Sequence, residues 1–329
     1  MLVIFSSIKE EKAGEIWAAL FEKTWPAYKT WFLKEGHLAR PGYLSSRNAI
    51  DQYMPELIPT YDELCELSGG SDLSSRFLSM YCPPPFMSGC TQVAWTKNEK
   101  ALIRNYDYNP RWFEGIVYYS NWLKPVIGIS DCNWGLLDGM NASGLCASLT
   151  FGGKKSVGKG FGIPLIIRYL LETCDTVEQA CKALKVIPVH MAYNVMLLDQ
   201  SGDYATVFLG PDRKAKILKS AVCSNHQEKI EWPEYAEATA TSEREKQLKE
   251  YLNDEDMTCN SLQKRFLIDP LYNHKFEQSF GTLYTASWFP EEGKLRLLWP
   301  GKKLEQSFKN FKEQENIIKL NRKMAGKIA

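Results

Sequence analysis

Three consecutive prolines in Cys82-Pro83-Pro84-Pro85-Phe86 divide the chain. Proline fixes φ and lacks an amide hydrogen, so neither a helix interior nor a central strand can run through such a segment. The patterns on its two sides differ. Before it, Ile8, Ile16, Leu20, Trp25 and Trp31 recur near helical spacing among Lys and Glu, which predicts a helix over 7–36 that Pro26 kinks or divides. Residues 45–80 read as two or three short helices, punctuated by Pro55, Pro59 and Gly69-Gly70-Ser71, with Ser71 or Asp72 as the last N-cap.

From Thr91 the period becomes two. Strands are expected at 91–97 and 100–107, joined at Asn98-Glu99, and at 134–140 and 145–151, joined by Asn141-Ala142-Ser143-Gly144. Helices follow at 163–173 and behind Thr176, whose Val177-Glu178-Gln179 continuation resembles a capping box. A meander is expected at 191–199, 203–209 and 214–223, then helices near 241–252 and 258–267 and strands at 282–289 and 294–299. The lysine-rich tail from 303 reads as a surface helix. Hairpins and meanders with paired helices between them describe an α+β chain: two stacked antiparallel sheets between helical layers, with no βαβ units.

A chain of 329 residues with 44% apolar and 24% charged content can bury a full core. Its formal net charge of +1 gives no electrostatic case for nucleic acid or a membrane surface, and no apolar run reaches a membrane span. Nine scattered cysteines without a CxxC pair point to reduced thiols and a cytoplasmic protein. Oligomeric state is not legible and leaves room for a homo-oligomer.

The chemistry centres on Ser88-Gly89-Cys90-Thr91 and the strand Arg104-Asn105-Tyr106-Asp107-Tyr108. A thiol at the head of a strand is a nucleophile or a small core hydrophobe. Arg104 on the neighbouring strand would favour thiolate, and Asp107 could accept from an ammonium if Cys90 were a chain terminus. On an ideal strand Arg104 and Asp107 face opposite ways, so a bulge or strand end is expected for both to reach Cys90. Gly89 would tolerate strained geometry at a reactive bond.

Other motifs are weaker. Gly153-Lys-Lys-Ser-Val-Gly158-Lys159 matches seven positions of a phosphate-binding loop, with Asp199 as the strand-end aspartate, but Gly160 replaces the Mg²⁺-binding hydroxyl. Cys223-x-x-His226 is half a metal site, and Asp131 and Asp138 read as turn and edge carboxylates rather than a glycosidase pair. No cofactor and no metal is expected.

Five segments in order carry a resemblance over about residues 80–300: the two above, Gly139-Met140-Asn141-Ala142-Ser143-Gly144-Leu145, Val222-Cys223-Ser224-Asn225-His226 and Ser242-x-Arg244. They resemble the choloylglycine-hydrolase and penicillin-acylase superfamily of N-terminal-nucleophile hydrolases, and most its autoprocessing isopenicillin-N (acyl-CoA:6-aminopenicillanate) acyltransferase-like branch. The resemblance implies a four-layer αββα sandwich and a Gly89-Cys90 bond cleaved by the chain itself. It makes Cys90 nucleophile and, through its α-amine, base. Asp107 would orient the ammonium, Arg104 lower the thiol pKa, Asn225 hold the oxyanion and Arg244 support the site. Thr150 stands where relatives often carry an oxyanion asparagine. Residues 1–89 would be a helical leader retained by the core, 90–302 the catalytic domain and 303–329 a helical tail. The implied activity is hydrolysis or transfer of a small-molecule N-acyl amide through an acyl-thioester. The alternatives are an unprocessed binding protein of the same fold and a nucleotide-binding protein using the 153–159 loop.

Overall fold

The computed structural model describes residues 1–320. Strand β1 (Leu2–Lys9) opens the chain, followed by α1 (Glu15–Phe32), α2 (Tyr43–Tyr53), α3 (Ile58–Leu67) and α4 (Asp72–Leu78). Beyond the prolines come β2 (Gly89–Trp95), β3 (Ala101–Tyr108), β4 (Ile116–Asn121), β5 (Pro125–Asp131), β6 (Gly135–Asn141) and β7 (Cys146–Phe151). Helices α5 (Ile163–Thr173) and α6 (Val177–Leu184) lead to β8 (Tyr193–Leu198), β9 (Tyr204–Gly210), β10 (Arg213–Leu218) and the two-residue β11 (Val222–Cys223). Then follow α7 (Pro233–Ala238), α8 (Thr241–Asn253), α9 (Cys259–Arg265), β12 (Gly281–Phe289), β13 (Lys294–Trp299), β14 (Lys302–Ser307) and β15 (Gln314–Lys319).

The strands form a nine-stranded sheet, β10-β9-β8-β7-β6-β5-β4-β1-β15, and a six-stranded sheet, β11-β2-β3-β12-β13-β14. Neighbours are antiparallel except β1 and β4, which run parallel. The sheets stack through β2 and β3 against β7 and β8; α5 and α6 cover one outer face, and α8 the other. This is the expected αββα order of layers. The Gly139–Leu145 motif belongs to the scaffold. A Cβ on Gly139 would lie 2.8 Å from Leu171 Cδ1, so the glycine lets α5 seat closely on β6. Asn141 Nδ2 donates to the carbonyls of Leu171 (2.9 Å) and Cys174 (2.7 Å), satisfying the end of α5, while its Oδ1 accepts the Leu145 amide.

Four sequence expectations are corrected. Residues 1–89 are not wholly helical: β1 lies between β4 and β15 inside the large sheet, with Val3 and Phe5 inward. Pro26 does not divide α1, which continues through it. The tail is not a helix as far as it is described, because residues 302–307 and 314–319 are edge strands of the two sheets; the helix expected over 321–329 lies outside the described residues. The third meander strand ends at Leu218, and its continuation crosses to the other sheet as β11. The alternating Leu2–Lys9 pattern is short, and its partners lie more than a hundred residues away, so local periodicity could not reveal the pairing. Lysines on edge strands suit open edges, which charge protects from further pairing.

Candidate active site

Antiparallel pairing of β2 with β3 sets Gly89 opposite Asp107, Cys90 opposite Tyr106 and Gln92 opposite Arg104. Side chains alternate along a strand, so Cys90 and Arg104 share the face toward the large sheet while Asp107 lies on the helix-covered face. Arg104 Nη2 donates to Cys90 Sγ at 3.2 Å. Of the bulge or strand end expected, the strand end applies: Gly89 and Asp107 pair where β2 begins and β3 ends, so Arg104 and Asp107 approach Cys90 from opposite sides of the sheet. Arg104 addresses the thiol, and Asp107 sits against the preceding residue. A Cβ on Gly89 would lie 2.7 Å from Phe280 Cζ and 3.0 Å from Asp107 Cβ. Gly89 is therefore required for space; it is not among the residues with positive φ.

The crossing into β11 supplies the other half of the site. Since Val222 and Cys223 pair with Val93 and Gln92, the chain that follows runs beside Gly89 and Cys90. Asn225 Oδ1 accepts the Cys90 amide at 2.8 Å, and its Nδ2 donates to the carbonyls of Ser88 (3.2 Å) and Phe151 (3.1 Å). Arg244, in the first turns of α8, donates to Cys90 O (3.0 Å), Asn225 Oδ1 (2.9 Å) and Thr91 Oγ1, and lies 3.5 Å from Asp107 Oδ2. Asp107 Oδ1 also accepts from Thr282 Oγ1 at 2.6 Å. All five residues, Cys90, Arg104, Asp107, Asn225 and Arg244, are buried.

The flanks of Asn225 explain its placement. Ser224 Oγ donates to Thr241 O (3.0 Å), while His226 meets Thr241 Oγ1 through Nδ1 (3.1 Å) and Glu245 through Nε2 (2.9 Å). The Ser-Asn-His segment is thus pinned at both ends to the helix that carries Arg244. Burial works against the Glu245 carboxylate, but His226 and Lys249 prevail and hold its pKa at about 2. Ser242 faces solvent; Thr241 is the buried member of that helix start.

Burial pushes the Cys90 thiol up, and the Arg104 guanidinium offsets this only in part. The influence expected of Arg104 is present, but with the Gly89-Cys90 bond intact desolvation outweighs it. Burial likewise raises the Asp107 carboxyl against Arg244 and Thr282.

The structure does not bring Thr150 to the thiol. Its hydroxyl donates toward Asn194 O at 3.5 Å and meets Cys223 Sγ at 3.6 Å, between the sheets. Asp138 is no edge residue. Fully buried, it pairs with Arg104 and accepts from Tyr284 Oη (2.6 Å) and Trp288 Nε1 (3.1 Å), which aims the guanidinium. Its position, on the inward face of β6 opposite Arg104, follows from a sheet stacking that no local pattern encodes. Tyr235 was also missed; its hydroxyl donates to Ser88 O at 2.7 Å.

The 153–159 loop has another use. Gly153 (φ +69°) leaves no room for a Cβ, which would lie 2.3 Å from Asn225 O, and Lys154 is paired with Asp212 and Glu231. Asp199 accepts from Val177 N and Ser201 N. Strands β7 and β8 are antiparallel neighbours, so the loop lacks the parallel unit of a phosphate-binding fold. Cys223 and His226 have separate partners and do not form a metal pair.

The family model of acyl-coenzyme A:6-aminopenicillanic acid acyl-transferase matches residues 95–304. The chain belongs to this family. As a member of the acyltransferase family it has the N-terminal-nucleophile hydrolase fold, and Arg104, Asp107, Asn225 and Arg244 lie inside the match while Cys90 precedes it. No curated protein matches. Solved structures similar to this family member include penicillin V acylase from Agrobacterium tumefaciens, at 16% identity over 67% of this chain and 86% of that one, with TM-score 0.49. A point mutant of conjugated bile acid hydrolase from Clostridium perfringens has 15% identity over 73% and 99%, with TM-score 0.47. An N-acylethanolamine-hydrolyzing acid amidase ortholog from Caenorhabditis elegans has 13% identity over 70% and 100%, with TM-score 0.44.

Proposed function

We propose that this chain is a cysteine-nucleophile amidohydrolase or acyltransferase acting on a non-peptide C–N amide, activated by cleavage of its own Gly89-Cys90 bond. The observation that carries the reading is the treatment of Cys90. Its sulfur meets Arg104 at 3.2 Å, while its amide and carbonyl are held by Asn225 and Arg244. A buried backbone amide and carbonyl need partners in any protein, but a packed core thiol needs no guanidinium at its sulfur.

In the activating step, Cys90 Sγ attacks the Gly89 carbonyl carbon, the C–N bond breaks, and the thiol proton passes to the departing Cys90 nitrogen. Water then hydrolyses the Gly89 thioester, giving a Gly89 carboxylate, a free thiol and a new α-amine. An α-amine of pKa about 7.7–8.0 can take the thiol proton near neutral pH, so no histidine is required. Asp107 and Asn225 Oδ1 would receive the ammonium; the bond from the Cys90 amide to Asn225 Oδ1 at 2.8 Å supports the latter role. In turnover, the thiolate adds to the substrate amide, the oxyanion is held near Asn225, the amine leaves with a proton, and water or another amine takes the acyl group. This is cofactor-free chemistry on a small N-acyl amide.

Intact-mass measurement of purified protein tests the reading. The 37.6 kDa chain should appear as two pieces that sum to its mass plus one water. Cys90→Ala should remain whole and lose hydrolysis of N-acyl amino acids, penicillin V and conjugated bile salts, whichever the wild type accepts. A Cys90→Ala protein that still hydrolysed the accepted amide would sink the mechanism.

A further inference from the structure

Two donors converge on a single oxygen next to the nucleophile. Tyr235 Oη donates to Ser88 O at 2.7 Å, and Asn225 Nδ2 donates to the same oxygen at 3.2 Å. One carbonyl oxygen gripped by a hydroxyl and an amide is the arrangement that stabilises an oxyanion. It lies in the immediate surroundings of the thiol: Ser88 Oγ is 3.6 Å from Cys90 Sγ, and the charge on Cys90 is felt at the Tyr235 hydroxyl. Thr150, which the sequence put forward for this task, is bound elsewhere.

We propose that Tyr235 is a catalytic residue, the second oxyanion donor beside Asn225, and that the Ser88 carbonyl occupies their site in the uncleaved chain. The inference rests on the acyl-thioester reading above. Ser88 belongs to the piece that cleavage detaches from Cys90, so its carbonyl can withdraw and leave both donors to a substrate oxygen. The intact chain is then idle for two reasons: Cys90 has no free amine, and the oxyanion site is filled from within.

The hydroxyl is set for this task by its surroundings. The Tyr235 ring meets Phe151 edge-on at 5.2 Å and stacks on Trp232 at 5.2 Å, which fixes its direction. Burial raises its pKa well above the ordinary value, with the Cys90 charge adding to the rise, so it stays a proton-bearing donor throughout the working range.

A simple aldehyde tests this without knowledge of the substrate. Cys90 Sγ adds to the aldehyde carbon and the thiol proton moves to the aldehyde oxygen, forming a hemithioacetal whose oxygen needs the same donors. Its formation is read as protection of Cys90 from iodoacetamide, followed by peptide mass on the cleaved protein, with acetaldehyde as the probe. Tyr235→Phe removes only the hydroxyl. With protection measured against each protein's own alkylation rate, it should weaken aldehyde protection by about three- to tenfold, since one hydrogen bond to the hemithioacetal oxygen is lost. Where the wild type turns over an amide, the same variant should lower kcat by about 10²–10³ with little change in KM. Equal aldehyde protection in wild type and Tyr235→Phe would overturn the assignment. A wild type that stays whole, or whose Cys90 ignores iodoacetamide, would instead overturn the nucleophile reading on which it rests.

Discussion

At the scale of single residues, the site is governed by what each side chain excludes as much as by what it binds. Gly89 has no space for a methyl group beside Phe280 and Asp107. Gly89→Val should therefore force β2 and β3 apart at the Gly89-Cys90 bond and cost about 1–3 kcal/mol, the usual range for overpacking. The expected outcome is a folded, uncleaved chain with a lowered Tm, checked by intact mass and thermal melts. Asp138 works through Arg104. Its carboxylate accepts from three donors, and this fixes the guanidinium so that Nη2 meets the thiol. Asp138→Asn should raise the pH midpoint of Cys90 alkylation, because an Arg104 released from its anchor no longer favours the thiolate. Trp288→Phe, which removes one donor to that carboxylate, should shift the midpoint the same way by less. An unchanged or lower midpoint in both would assign Asp138 to fold stability alone.

At the scale of elements, the Ser-Asn-His segment and α8 form one unit, since Thr241 and Glu245 hold the neighbours of Asn225 while Arg244 holds Asn225 itself. Glu245 makes this unit sensitive to acid. Its pKa falls from an ordinary 4.5 to about 2 in the folded chain. A depressed carboxylate contributes stability above its unfolded pKa and loses it as pH falls through the folded value. Glu245→Gln should therefore lower Tm near neutral pH, and the gap from wild type should close as pH drops from about 4.5 to about 2. A gap that stays constant down to pH 2 would separate Glu245 from that acid sensitivity. Elements of this kind were legible where neighbours in sequence are neighbours in space. The β2–β3, β6–β7 and β12–β13 hairpins announce themselves through alternation and short turns, and Thr176 does cap α6 by accepting the Gln179 amide. Strands β4 and β5 escaped because their residues are buried on both faces, which removes the alternation. Motif order named Cys90, Arg104, Asp107, Asn225 and Arg244, which the structure brings together. It did not name Asp138 or Tyr235, because one depends on the stacking of two sheets and the other on a short helix folding back over Ser88.

At the scale of the whole molecule, the segment before Cys90 belongs to the fold. It supplies a strand to the interior of the nine-stranded sheet, parallel to β4 and antiparallel to β15. It also plants Phe5, Trp17, Ile50, Leu57 and Tyr61, each fully buried, in the shared core. Its helices are tied to the turn between β5 and β6 from both sides: Trp17 Nε1 donates to Asn133 O at 3.1 Å, and Trp134 Nε1 to Leu78 O at 2.8 Å. Fully burying one large apolar side chain contributes about 1.5–3 kcal/mol, so these five alone resist dissociation by roughly ten. The proposed cleavage at Gly89-Cys90 would remove one covalent bond and none of these contacts. The two pieces should therefore elute together at the volume of an intact chain on size exclusion and part only in denaturant. Removal of residues 1–9 should be far more damaging than removal of a disordered leader, because it opens a gap between β4 and β15 and leaves both with unpaired backbone. The check is expression of the chain lacking residues 1–9, where soluble protein with wild-type Tm would mean that β1 is dispensable to the sheet. Co-elution that persisted in the Cys90→Ala protein would carry no information, since that chain is whole; the diagnostic sample is the cleaved wild type, and early separation of its pieces would show that the leader is held by the peptide bond rather than by the core.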